Sequence, residues 1–154
     1  MDAFRRHVDN RTEDGFTLIE LMVVVLIIGI LIAIALPTFL GARKRAADRA
    51  AQTDLRTGLV AAMTHYTKNQ SYTGFDTAAA YAAESDLNWV QQTDPAIGQI
   101  DIEVASGTDL LLVTRSSSRT YFCVAQVATS PATAKGQGAA YTDVNTIPQC
   151  TGGW

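Results

Sequence analysis

The apolar residues of this chain are concentrated near its N-terminus. Residues 21–36 contain no charged or hydrogen-bonding side chain, and a single helix over residues 16–40 would be about 37 Å long. A helix of that length crosses the hydrocarbon core of a membrane, which is about 30 Å thick. The pattern therefore predicts a membrane-spanning helix over residues 16–40. Its one ionisable residue, Glu20, requires an explanation.

After residue 40 the apolar pattern becomes amphipathic. Small and apolar residues recur at intervals of three and four positions, and polar residues occupy a different face of the same helix. The apolar stripe comprises Ala47, Ala51, Leu55, Gly58, Leu59, Ala62 and Tyr66, and the polar stripe comprises Arg45, Arg49, Gln52 and Arg56. We therefore expect one helix to continue to about Lys68 and to cover a sheet with its apolar stripe.

The remaining residues predict a small sheet. Residues 69–74 are rich in turn formers and should end the long helix, and the alanine-rich residues 76–88 suit a short second helix. Strands are predicted at residues 100–104, 109–114 and 119–127, with a fourth near residues 139–144. The short breaks between them suit antiparallel hairpins. The predicted fold class is α+β, a long N-terminal α-helix packed against a three- or four-stranded antiparallel β-sheet.

Length and charge limit the function classes. The chain has 154 residues, which allows an anchor and one modest globular part. Its formal net charge is −3, and it has no run of lysine and arginine long enough to follow a phosphate backbone. Nucleic acid is therefore not indicated as a general partner, although a localised contact with DNA stays open.

The sequence offers no catalytic constellation. The two histidines, His7 and His65, are far apart in sequence, so neither a histidine pair for a metal nor a triad can be assembled. His65 is expected at the helix surface or packed on the sheet. Asp101 and Glu103 alternate along a predicted strand and are expected on its solvent face. We predict a protein that is not an enzyme, with no catalytic, cofactor-binding or metal-binding residues.

Two simple explanations of the apolar segment are an ordinary single-pass anchor and a secretory signal peptide. The second rests on Ala33-Ile34-Ala35, which has the small-x-small form of a signal peptidase site. Glu20 argues against both, because a carboxylate inside a membrane costs a few kcal/mol unless it is paired or protonated. Pro37 also lies just past the cleavage position, as the second residue after Ala35, which makes that site a poor one.

The sequence Gly15-Phe16-Thr17-Leu18-Ile19-Glu20, followed by an unbroken apolar run with Gly29 and Pro37, resembles the prepilin signature of the type IV filament superfamily, a class III signal peptide. The resemblance extends to about Tyr72. It implies that residues 1–15 are a leader left in the cytoplasm and that prepilin peptidase cuts between Gly15 and Phe16. Phe16 would then be the N-methylated N-terminus of the mature chain.

The same resemblance implies roles for residues within the helix. Glu20 would pair with the N-terminal amine of a neighbouring subunit and so set the register of assembly. Pro37 lacks a backbone donor, so a kink or a locally melted segment is expected between Gly29 and Pro37. Residues 16–40 would be the transmembrane and assembly half of the helix, and residues 41–154 the globular pilin head.

Charges flanking the apolar segment complicate its orientation. Three arginines in the leader are offset by four acidic residues, whereas Arg43, Lys44 and Arg45 follow the apolar segment. The positive-inside rule alone would place residue 43 in the cytoplasm. The cleavage motif requires the opposite orientation, because Gly15 must face the peptidase. We therefore predict the orientation from the motif, with residues 1–15 in the cytoplasm.

Cys123 and Cys150 are the two cysteines of the chain. Outside the cytoplasm a disulfide is their expected state, and a C-terminal loop bounded by a disulfide is a pattern of pilins. Two free buried thiols are the alternative. A separate hypothesis is a calcium site near Asp143 and Asn145, as in the major pseudopilins of type II secretion.

The resemblance implies a structural subunit, the major pilin of a type IV pilus. Such a chain is a single-pass prepilin in the cytoplasmic membrane of a bacterium and then part of an extracellular filament. Its partners would be identical pilin subunits, prepilin peptidase, and the assembly platform with its ATPase machinery. The alternatives are a pseudopilin of a type II secretion system and a minor pilin that binds DNA or a surface at the filament tip.

Overall fold

The structure is a computed structural model that describes residues 15–127 and 130–154, with the side chains of residues 130–132 left undescribed. The chain divides into two units, Met1–Leu40 and Gly41–Trp154. Its helices and strands are α1 (Leu18–Asn69), α2 (Thr77–Ala83), β1 (Asn88–Gln91), β2 (Gln99–Ser106), β3 (Asp109–Arg115), β4 (Tyr121–Val127) and β5 (Ser130–Gly138). Two short 3₁₀ turns, Tyr141–Asp143 and Ile147–Gln149, follow β5.

The described part of the first unit is the start of α1. Every residue from position 15 to position 40 is exposed. The helix is continuous through Gly29 and Pro37 in this structure. The expected kink or locally melted segment between Gly29 and Pro37 stays a prediction for the assembled filament.

In the second unit, α1 packs on one face of the sheet, as the amphipathic pattern predicts. The buried residues of α1 are Ala51, Leu55, Gly58, Ala61 and Ala62. Leu59 and Tyr66 are partly buried and pack against the same core. The helix ends at Asn69, one residue beyond the predicted end, where Gln70 has a φ of 53° and its N–H still bonds the Tyr66 carbonyl.

The sheet has five strands in the order β1-β2-β3-β4-β5. β1 is parallel to β2, and each of the other neighbouring pairs is antiparallel. The three central strands lie where the sequence predicts them. The fourth prediction is wrong in position, because residues 139–144 form a bend and a 3₁₀ turn. There the Asp143 carboxylate accepts the backbone N–H groups of Ala139 and Ala140 at 3.0 and 2.8 Å, so these amides cap a turn instead of joining the sheet.

Both faces of the sheet are covered. On the helix side the buried strand residues are Ile100, Ile102, Leu110, Leu112, Phe122 and Val124. On the opposite side they include Leu111, Val113, Tyr121, Cys123 and Ala125, which pack with Val144 and Cys150 from the C-terminal segment, residues 139–150. β3 and β4 are therefore nearly continuous apolar runs, as expected of strands that are buried on two faces.

A disulfide joins Cys123 on β4 to Cys150, with 5.8 Å between the two Cα atoms. The expected bond is confirmed, and the alternative of two free thiols is wrong. Gly136 on β5 lies beside it, and a Cβ there would come within 2.7 Å of the Thr151 nitrogen and 3.0 Å of Cys123 Sγ. Only glycine therefore permits Thr151, directly after Cys150, to lie this close to β5.

Candidate functional site: the N-terminal motif

Thr17 and Glu20 cap the start of α1 together. Thr17 directly precedes the helix, and the Glu20 carboxylate accepts hydrogen bonds from the Thr17 N–H at 2.9 Å and the Thr17 hydroxyl at 2.6 Å. In return, the Glu20 N–H donates to Thr17 Oγ1 at 3.3 Å. This reciprocal arrangement is a capping box. The Thr-x-x-Glu spacing signals this cap in the sequence. The free-energy cost of a carboxylate inside a membrane does not predict it.

The cap fixes the position of the Glu20 carboxylate. A helix begins with four backbone N–H groups that have no partner within the helix, and the capping box satisfies two donors at this end. Glu20 is exposed, and both bonds that it accepts from Thr17 end on Oε2. The carboxylate is therefore held at the start of the helix with its second oxygen, Oε1, available to another donor.

The helix that follows presents a large apolar surface. Between Phe16 and Leu40 the large hydrophobic side chains are 47% to 83% exposed. α1 is long and apolar enough to cross a membrane. Soluble monomers rarely expose apolar patches of this extent, so this surface calls for lipid or protein to cover it.

The residues that the sequence marks as functional fall into separate groups. Gly15, Phe16 and Glu20 lie together at the beginning of α1, and Gly29 and Pro37 lie further along the same helix. Cys123 and Cys150 are bonded in the second unit. The motif residues are consecutive in the chain, so their grouping needs no tertiary contact.

His65 and Asp143, the other residues considered for chemistry, have local structural roles. His65 is half-buried, its Nε2 lies 3.1 Å from Asn69 Nδ2, and its ring lies 5.5 Å from that of Phe75. The Asp143 carboxylate serves the 3₁₀ turn described above. Within residues 15–127 and 130–154, no group of three or more His, Cys, Asp and Glu side chains is placed to hold a metal ion.

Asp101 is fully buried, so its expected position on the solvent face is wrong. It lies on the face of β2 that the C-terminal segment covers. Its Oδ1 accepts the Thr93 N–H at 3.1 Å, and the Tyr141 hydroxyl lies 3.0 Å from Oδ2 and 2.6 Å from Glu103 Oε2. Burial, together with Glu103, raises the pKa of Asp101 to about 7, although the bonds from Thr93 and Tyr141 oppose the shift. Burial and the bond to Glu103 also raise the pKa of Tyr141.

Comparison with known proteins agrees with the geometry of the N-terminal motif. The family model of the prokaryotic N-terminal methylation motif matches residues 10–36. The type IV major pilin protein PilA of Myxococcus xanthus is 37% identical over 101 residues, which are 66% of this chain and 45% of that protein. A fimbrial protein of Neisseria meningitidis serogroup B is 36% identical over 100 residues, 63% of this chain and 58% of that protein.

A third relative is the type IV wide pilus major component PilA4 of Thermus thermophilus. It is 43% identical over 63 residues, 41% of this chain and 48% of that protein. This chain spans about half the length of the curated relatives that it matches. With the methylation motif, these similarities confirm the resemblance to type IV pilins that the sequence Gly15 to Glu20 indicates.

Proposed function

We propose that this chain is the major structural subunit of a type IV pilus and polymerises through the apolar half of α1. The observation that carries the proposal is the exposed apolar helix that begins directly at the capped motif Gly15 to Glu20. The pilin and fimbrial names of its relatives support the same function. On this proposal the protein acts by assembly and not as an enzyme.

The apolar half of α1 has two successive environments. Burial of one Val, Leu or Ile side chain is worth about 1.5–3 kcal/mol, so a helix with this many exposed apolar side chains does not stay in water. Before assembly the cytoplasmic membrane covers it, with residues 21–36 in the hydrocarbon. After assembly the same side chains pack against those of neighbouring subunits in an extracellular filament.

Processing comes first. Prepilin peptidase would cut between Gly15 and Phe16, where the described backbone is exposed and a Cβ at Gly15 would meet nothing within 4 Å. The cut leaves a new amine on Phe16, directly before the Thr17 N–H that bonds Glu20. N-methylation of that amine fits the methylation motif that matches residues 10–36.

Assembly then pairs opposite charges. The capping box holds the Glu20 carboxylate at the start of the helix, and its Oε1 is available for the Phe16 amine of a neighbouring subunit. An unpaired carboxylate among apolar helices is unfavourable in free energy. The amine offsets that cost only where the two helices are aligned so that it reaches Glu20, which fixes their relative position along the filament axis. Removing an apolar helix from lipid requires work, for which an assembly platform and its ATPase machinery are the proposed partners.

The abundance of the subunit in sheared filaments tests this proposal. A dominant species that begins at Phe16 is the expected result for a major pilin. A trace amount in fibres built mainly from another subunit would instead assign a minor role at the tip. Loss of protein secretion without loss of surface filaments, on deletion of the gene, would assign the chain to a type II secretion system.

A further inference from the structure

The oxygens of Asp101, Glu103 and Tyr141 lie too close together for three independently hydrated groups. The Tyr141 hydroxyl oxygen is 3.0 Å from Asp101 Oδ2 and 2.6 Å from Glu103 Oε2. A tyrosine hydroxyl has one hydrogen, so it donates to one carboxylate and can only accept from the other. If Asp101 is protonated, it donates to Tyr141, and Tyr141 donates to Glu103. Both short contacts of the Tyr141 hydroxyl are therefore hydrogen bonds when one of the two carboxyl groups is protonated.

The surroundings of Asp101 favour that proton. Asp101 is fully buried, and its partners across the sheet are the apolar residues Val90 on β1 and Val113 on β3. Val144, from the C-terminal segment, packs in the core on the same side of the sheet. In these apolar surroundings an ionised carboxylate loses hydration without gaining a positive partner.

Two other ionisable groups on this side of the sheet, Asp94 and Arg115, contact Tyr121. Asp94 accepts the Tyr121 hydroxyl at 2.8 Å, and the Tyr121 ring lies 6.1 Å from the ring of Tyr141. The Arg115 guanidinium lies over the Tyr121 ring at 5.1 Å from its centroid. Within the described part of the chain, Thr93, Glu103 and Tyr141 are the groups that act on the Asp101 carboxyl, and none of them is a cation.

We propose that Asp101, Glu103 and Tyr141 form a proton-dependent clasp that fastens the C-terminal segment, residues 139–150, to β2. Tyr141 begins the first 3₁₀ turn of this segment, and the disulfide at Cys150 holds its other end. When the shared proton leaves, two carboxylates compete for one hydroxyl hydrogen in a buried site. Movement of the Tyr141 turn away from β2 admits water and relieves that repulsion.

The direction of the pH response follows from the burial of Asp101. Because the pKa of Asp101 is raised to about 7, the clasp is closed in mildly acidic surroundings and loosens as the pH rises through neutrality. The segment stays tethered by Cys150 in both states. The clasp lies wholly within the second unit.

Hydrogen exchange of the full-length protein in detergent micelles tests the clasp. Amide exchange of residues 139–150, corrected for the intrinsic pH dependence of exchange, should be at least about tenfold faster at about pH 8.5 than at about pH 5.5. Exchange of α2 should show no such change. Equal corrected exchange of residues 139–150 at the two pH values would overturn the proposal.

Two substitutions test the role of the Asp101 proton and the role of the Tyr141 hydroxyl separately. Asp101→Asn keeps the shape but cannot ionise, so its corrected exchange over residues 139–150 should be the same at both pH values. Tyr141→Phe removes the hydroxyl, so exchange should be fast at both. Asp86→Asn, at an exposed carboxylate outside the cluster, is the matched control and should keep the wild-type pH response. A pH response retained by Asp101→Asn would contradict the clasp.

Infrared spectroscopy of the wild-type protein provides a measurement that needs no variant. The carbonyl band of a buried, protonated carboxylic acid should be present at about pH 5.5 and absent at about pH 8.5. Absence of that band at the lower pH would show that the cluster holds no extra proton, and the proposal would fail.

Discussion

Gly58 on α1 faces the indole of Trp89 so closely that a Cβ at Gly58 would lie 3.1 Å from Trp89 Cη2. The same Cβ would lie 3.2 Å from Cδ1 of Ile100. Trp89 has little freedom to move, because its indole N–H donates to the Glu84 carbonyl at 2.9 Å and its ring meets Phe75 edge to face at 5.9 Å. Glycine at this position therefore sets how closely α1 approaches the sheet.

Substitution of Gly58 by a large residue should separate the helix from the sheet. We expect Gly58→Leu to lower the free energy of unfolding by about 2–3 kcal/mol, because overpacking a well-filled core costs about that much. The matched control is Val60→Leu on the exposed face of α1, which should change it by no more than about 0.5 kcal/mol. Urea unfolding in micelles, followed by tryptophan fluorescence, makes the comparison. Equal midpoints for the two variants would refute the close-approach role.

Removal of the disulfide should loosen the C-terminal segment. Cys123 and Cys150 are 27 positions apart, and closing a loop of that length is worth about 3.5 kcal/mol in the chain-entropy account. The double variant Cys123→Ala/Cys150→Ala should lose about that much in urea unfolding. Intact mass without reductant should show the bond in the wild-type protein, whereas two alkylatable thiols in the native protein would contradict it.

The buried carboxyl of Asp101 should make stability depend on pH. Its pKa is raised from 3.8 to about 7 on folding, so the folded chain binds the proton more tightly than the unfolded chain. The resulting stabilisation is complete below about pH 4 and is lost as the pH rises through about 7. The free energy of unfolding should fall across this window, by at most about 1.4 kcal/mol per pH unit. In Asp101→Asn this contribution should vanish, and an unchanged pH profile in that variant would exclude Asp101 as its source.

Those parts of the fold that have strong local patterns could be predicted from the sequence. β3 and β4 contain long apolar runs, β2 alternates apolar and polar residues over its first half, and α1 has a regular buried stripe. The edge strands have no such pattern, because β1 is only four residues long, Asn-Trp-Val-Gln, and β5 contains Pro131, Lys135 and two glycines. Such residues are typical of sheet edges, where they discourage further pairing, and they also resemble a loop.

The burial of Asp101 could not be predicted from alternation along β2. Polar residues at alternate positions normally face solvent, whereas Tyr141, in the segment that covers Asp101, lies 40 positions later in the chain. Its burial is therefore a tertiary effect. The Thr17 and Glu20 cap is different, because its spacing is local and could have been recognised beside the membrane argument.

Loss of the Glu20 carboxylate should prevent assembly without preventing processing. We expect Glu20→Ala to be cleaved and retained in the membrane while filaments on the cell fall at least about tenfold, as the loss of a charge pair worth 1.4 kcal/mol or more implies. Electron microscopy and immunoblotting measure the two quantities. Because this substitution also removes the helix cap, the control is Thr17→Ala, which weakens the cap by about 1 kcal/mol and keeps the carboxylate. Normal filament numbers in Glu20→Ala, or an equal loss in Thr17→Ala, would remove the pairing role.

The N-terminus of the subunit in purified filaments tests the central claim most directly. If the chain is a type IV pilin that is processed at the motif Gly15 to Glu20, sequencing and intact mass should give a chain that begins at Phe16 with a methylated amine. A chain that begins at Leu36 would show ordinary secretion after Ala35, and one that begins at Met1 would show that the motif is not processed. Either result would contradict the account.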